Sequence, residues 1–299
     1  AYTLPDEKLL SNFVDSFGSS ADGKLWLGTD AGIQLLDPAD PQQAWQTFQV
    51  KTNGAMGGNW ANGMDTGKDG STWFAITNGA ASRYQQGTWS SFQDLYSFDA
   101  VTVDAQGRAW FGDSSKGIVV LNADGSPAFT LTTENGLATN RVQALYSLGD
   151  AVWIGTDQGA YRFQQDQLEL LVDKNNIQLP AAYIVAFSQD AVGELLIGAN
   201  LGVVRYREGQ VELLLDFKKE GIQAWLTTLA GSTGGRIYVG TQDGLYISDG
   251  MSSLQSLTTA DGLLSPYISA LYVDQYDDVW VGAGGSNYDG GGVVQIGNT

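Results

Sequence analysis

Reactive side chains are scarce in this sequence, and the scarcity narrows the chemistry before any fold is considered. The 299 residues include no histidine and no cysteine. That removes histidine bases, histidine triads, thiolate nucleophiles and disulfides together. What remains is oxygen chemistry and a few cations. Arg141 and Tyr183 could act as charge neutraliser and base in a β-elimination, although a solitary arginine among aromatic residues is equally a stacking or ion-pairing group. Calcium takes oxygen ligands alone, and two groups offer them: Asp15 with Asp99, and Asn287 with Asp289 in the stretch Gly284–Gly290. Neither group follows a calcium-loop spacing. Asp22, Asp69, Asp104 and Asp190 also resemble metal ligands, but each precedes a glycine by one or three residues. A turn explains them better, because aspartate closes it with a backbone hydrogen bond and glycine supplies the positive φ.

The elements that must position these groups announce themselves by repetition. The phrase Trp26-Leu27-Gly28-Thr29, followed by Gly32, recurs around Trp73, Trp110, Trp153, Leu196, Tyr238 and Trp280 at intervals of 37 to 47 residues. A period near 42 with strand-like patterning is the signature of propeller blades. Each repeat divides into four short strands; in the first they are residues 12–17, 24–28, 32–36 and 45–50, bounded by Gly, Asp, Asn or Pro. The expectation is an all-β, seven-bladed β-propeller of four-stranded antiparallel blades, occupying residues 1–299 as a single domain. The phrase between repeats, Thr133–Asn140 and Thr259–Pro266, has a counterpart at residues 2–12. The N-terminal residues Ala1–Leu4 are therefore expected to complete the last blade as its outer strand and close the ring, leaving no open edge there.

Overlaying the seven innermost strands shows what would face the axis. At the mouth stand Phe13, Trp60, Ser97, Arg141, Tyr183, Trp225 and Tyr267. Two residues further on, and on the same face of an ideal strand, stand Asp15, Asn62, Asp99, Gln143, Val185, Thr227 and Ser269. A buried polar ring needs partners. It either lines a water-filled channel or forms the floor of a funnel with aromatic walls, suited to a sugar, an aromatic molecule or a peptide. The tryptophans at the repeat anchors, Trp26, Trp73, Trp110, Trp153 and Trp280, are expected to pack blade against blade, with Trp45 and Trp89 of the outer strands also in the core.

The Trp-x-Gly-Thr-x-x-Gly phrase, with Asp-Gly-Leu-x-Ser/Thr-Asn between repeats, resembles the two-component regulator propeller repeat family over the whole chain. That resemblance implies a seven-bladed sensor propeller, found in the extracytoplasmic part of bacterial hybrid sensor kinases and in free-standing exported proteins, often reading glycans. It implies a periplasmic or extracellular location, with Ala1 the first residue after removal of a leader. Asp and Glu number 33 against 15 Lys and Arg, for a net charge of −18. Such a surface argues against nucleic acid and anionic membranes as partners, and no apolar run has the length to insert in a membrane. The expected function is a non-catalytic binding or interaction module whose partner at the funnel is a small molecule, a glycan or a protein. A carbohydrate-active lyase using the same funnel and a structural subunit of a cell-surface assembly are the alternatives.

Overall fold

Short β-branched and aromatic runs alternate with Asp/Gly turns along the chain, and each run becomes a strand. The computed structural model describes residues 8–173, 183–249, 253–285 and 290–297. Within them lie six four-stranded antiparallel sheets and a seventh with three described strands, plus one 3-10 turn at Thr259–Asp261. The chain is an all-β, seven-bladed β-propeller. Strand order within each sheet follows the sequence, so every blade is a meander. The innermost strands are Val14–Ser19, Ala61–Thr66, Ala100–Val103, Val142–Leu148, Ile184–Gln189, Leu226–Gly231 and Ile268–Val273. Each touches the next, and the seventh touches the first. There Ser269 Oγ donates to the Val14 carbonyl at 2.5 Å, closing the ring near its axis. The expected outer strand of blade 7, Ala1–Leu4, lies outside the described residues.

Seven apolar clusters fill the gaps between neighbouring blades, and a repeat anchor sits in each. Trp26 packs with Phe74, Ile76 and Trp89 of blade 2, and Trp153 with Phe187, Leu195 and Ile197 of blade 5. The five anchor tryptophans are 0–5% exposed. Trp89 joins this core, whereas Trp45 is only half-buried, its indole bonded to the Pro41 carbonyl. The glycine two residues beyond the anchor has a separate role. A Cβ at Gly28 would strike the Ala61 carbonyl and Ser16 Oγ, and one at Gly155 would lie 3.1 Å from the Ile184 carbonyl. The anchor fills the gap between blades while the glycine lets the next inner strand close in on the axis.

Turn aspartates also serve the anchors. Asp104 accepts from the Gln106 and Arg108 amides through Oδ1 and from Trp110 Nε1 through Oδ2, and Asp274 serves Trp280 in the same way. In blades 1 and 2 the equivalent positions are Ser20 and Gly67, and there the buried indoles of Trp26 and Trp73 have no hydrogen-bond partner. The first inner strand begins at Val14 rather than Asn12, because the Phe13 amide donates to Ser11 Oγ instead of joining the ladder. The outer strand of blade 1 shortens to Gln46–Phe48 at the exposed rim.

Candidate functional site

One irregularity repeats around the axis and sets the direction of the candidate site residues. In six of the seven inner strands the pairing slips by one residue, at Asp15, Asn62, Gln143, Val185, Thr227 and Ser269. A bulge leaves its extra residue out of the ladder and re-aims the side chain. These positions line a central channel of about 330 Å³, joined by Asp99 of blade 3. Blade 3 departs from the others because Ser97 takes a left-handed conformation (φ 61°) and its strand starts only at Ala100.

Two of the six polar side chains at these positions bond to backbone carbonyls of the ring itself. Thr227 Oγ1 donates to the Ile268 carbonyl and Ser269 Oγ to the Val14 carbonyl, each joining one blade to the next. Ser16, one position further along, does the same to the Ala61 carbonyl at 2.7 Å. The acidic members stand on blades 1 and 3. Asp15 accepts a 2.6 Å hydrogen bond from Trp60 Nε1, and Phe13 packs edge-on against the Trp60 ring. Burial pushes the Asp15 carboxyl up to about 7; the Trp60 bond opposes this and the nearby Asp30 carboxylate adds to it. Asp99 is also raised, first by burial and then by Asp113, while polar contacts from Ser114 and Asn62 draw it back. No cation is among the groups that shift either carboxyl.

The aromatic wall lies over blades 5 to 7. Tyr183, Trp225 and Tyr267 border a cleft of about 440 Å³ that also reaches Gln143, Thr227 and Ser269 and so opens into the channel. Trp225 is 56% exposed, while Tyr183 and Tyr267 are half-buried. The carbonyls of these three residues accept from the amides of Asn200, Gln242 and Gly284, which fixes the mouth against the adjoining loops. Arg141 stands apart: it is exposed, 3.7 Å from Asp157, and lines neither the channel nor the cleft.

Chains of known structure share this ring. The extracellular domains of two putative hybrid two-component systems of B. thetaiotaomicron superpose with TM-scores of 0.75 and 0.76 at 17% identity, over 98% and 100% of this chain. Streptogramin B lyase superposes with a TM-score of 0.70 at 18% identity, over 91% of each chain. The likeness is one of fold. This chain spans only 39% and 42% of the two sensor domains. No protein-family model matches the sequence, and no curated protein matches it either.

Sequence reasoning overlooked a second ring. Four residues after the anchors Trp73, Trp153, Leu196 and Tyr238 come Thr77, Asp157, Asn200 and Gln242, in the loops that face the mouth. Thr77 Oγ1, Asp157 Oδ1 and Asn200 Oδ1 are buried there without a hydrogen-bond partner. Each such group forfeits hydration unless water or a ligand supplies its partner. The signal lies in the repeat itself, at the fourth residue after each anchor. As a metal site the channel is poor: among the described residues no three acidic side chains gather. Asn287 and Asp289 lie outside the described residues. Among the described residues, no helix is long and apolar enough to cross a membrane.

Proposed function

We propose that this chain is an exported, non-catalytic ligand-binding module, one propeller domain over residues 1–299, that presents its funnel to the periplasmic or extracellular space. The exposed Trp225, standing over a cleft that opens into a polar channel, carries this reading. An indole left more than half in water at the mouth of a cavity offers an apolar face that a ligand would cover. The unpartnered Asn200 Oδ1 on the same cleft offers a fixed hydrogen bond. The sensor-type relatives in fold, together with the resemblance of the repeats to two-component regulator propellers, favour recognition over turnover. A lyase would need a base and a charge neutraliser together at the funnel. Although Tyr183 and Asp15 line it, no arginine among the described residues stands beside them there. The chain has no histidine, and Arg141 faces Asp157 rather than the cavity.

The test is a binding screen of the purified protein against glycans and metabolites, with and without calcium, read by tryptophan fluorescence and thermal shift. A ligand should quench Trp225 and raise the melting temperature, and Trp225→Ala should abolish the quench. Turnover of a hit in place of stable binding, or a hit that leaves Trp225 untouched, would overturn the reading. A protein partner bound through the outer strands, with the funnel empty, would instead favour a surface-assembly subunit.

A further inference from the structure

The channel and its mouth are built from groups that attract positive charge, and the nearby cations Lys116 and Arg141 pair with Asp113 and Asp157 rather than with the channel carboxyls of Asp15 and Asp99. Asp15 and Asp99 line the channel, and Asp30 and Asp113 act on them from the adjoining loops. The two cations of blades 3 and 4 nearest this face are already engaged. Lys116 Nζ donates to the Tyr96 carbonyl at 2.8 Å and sits 3.7 Å from Asp113, while Arg141 sits 3.7 Å from Asp157. Two buried acceptors at equivalent loop positions, Asp157 Oδ1 and Asn200 Oδ1, have no donor. Asn200 and Trp225 border the same cleft. Aromatic faces prefer cations to anions because of the ring quadrupole.

We infer that the funnel selects an organic cation: an ammonium group held in the channel by Asp15 and Asp99, with its apolar body against Trp225, Tyr183 and Tyr267. The inference rests on the ligand-binding reading above and narrows it to one chemical class. An anion such as a uronate or phosphate would meet the Asp15 and Asp99 carboxyls, while Lys116 and Arg141 face Asp113 and Asp157. A neutral sugar could use the aromatic wall, but it would leave the buried carboxyls of Asp15 and Asp99 without the charge they lack. An ammonium ion answers both, donating up to three hydrogen bonds from one small, strongly charged group. The acidic arc on blades 1 to 3 and the aromatic arc on blades 5 to 7 then act as two ends of one site.

A matched pair of probes tests this. 2-Phenylethylamine and 2-phenylethanol share a body and differ in the charged end. Their binding to the whole chain is followed by calorimetry and Trp fluorescence at low salt and at 150 mM, beside a panel of neutral oligosaccharides. The amine should bind at least tenfold more tightly than the alcohol. Asp99→Asn and Trp225→Ala should each weaken it roughly tenfold, whereas Asp124→Asn, on an exposed turn of blade 3, should not. Thermal unfolding of each variant verifies that it is folded. If the alcohol or a sugar binds as well as the amine, the cation inference fails while the ligand-binding funnel stands. If nothing in the set perturbs Trp225, both fall. Amine binding that vanishes at 150 mM salt and ignores Trp225→Ala is general attraction to a chain of charge −18, and it also overturns the inference.

Discussion

Replacing Asp15 by asparagine should make the protein more stable, and increasingly so as the pH rises. The native carboxyl titrates near 7 instead of 3.8, chiefly because burial disfavours its charge. Native Asp15 therefore holds its proton more tightly than the unfolded chain does between about pH 4 and pH 7. Across that window its contribution to stability falls as the pH climbs, and above 7 the loss is complete. The step from 3.8 to about 7 corresponds to roughly 4 kcal/mol. Water in the channel should reduce the measured gain to about 1–3 kcal/mol. Asparagine keeps an acceptor for Trp60 Nε1, so the bond to the mouth survives in weaker form. The groups around Asp15 add no opposing cation: Asp30 follows the second strand of its own blade, Trp60 and Asn62 come from blade 2, and Ser269 from blade 7. Urea unfolding of parent and variant at pH 5, 6.5 and 8 is the assay. The stability difference should be smallest at pH 5 and grow toward pH 8. Parallel pH profiles, or a variant less stable at pH 8, would refute the argument that an uncompensated buried carboxyl sits in the channel.

Other substitutions separate the packing of the ring from its mouth. Trp153→Ala should cost about 3–5 kcal/mol in denaturant unfolding, since it empties a buried site between blades 4 and 5, while Trp225→Ala should cost less than about 1 kcal/mol at its exposed position. Ser20→Asp should stabilise by about 1 kcal/mol by giving the orphaned Trp26 indole the acceptor that Asp104 and Asp274 give Trp110 and Trp280; an unchanged denaturation midpoint would show that the turn cannot reach the indole. Ser269→Ala should lower stability by about 1 kcal/mol through loss of the bond to Val14, with faster amide exchange at the junction of blades 7 and 1.

The number of blades and the place of the anchors were legible in the sequence because both follow from short-range pattern. Trp26 and Gly28 sit two residues apart, and six of the seven copies repeat a large anchor followed by this glycine, Ala75 replacing it in the second. The places of Trp60, Tyr183, Trp225 and Tyr267 were legible for the same reason, since each immediately precedes its inner strand. That Trp60 turns to Asp15 while the other three border the cleft was not. What sequence reading missed depends on contacts between blades. Period-two alternation cannot anticipate a bulge at Asp15, because the slip is set by how neighbouring inner strands crowd the axis. Nor could it foresee that Thr227 and Ser269 bond to carbonyls 41 and 255 positions away. The division into an acidic arc and an aromatic arc emerges only when the repeats are placed around a circle.

The recurring bulge has a consequence for how such a disc can change. A residue released from the ladder contributes little to strand pairing, so its identity is nearly free of the demands that fix its neighbours. The chain already samples this freedom, with a carboxylate, two amides, an aliphatic residue and two hydroxyls at the six bulged positions. Drift at these places would alter what the cavity recognises while leaving the ring intact. Gln143 and Val185 form a small set of addresses for a combinatorial library, whereas Asn62 already contacts Asp99 of the next blade. New specificities could be selected there without redesigning a single blade.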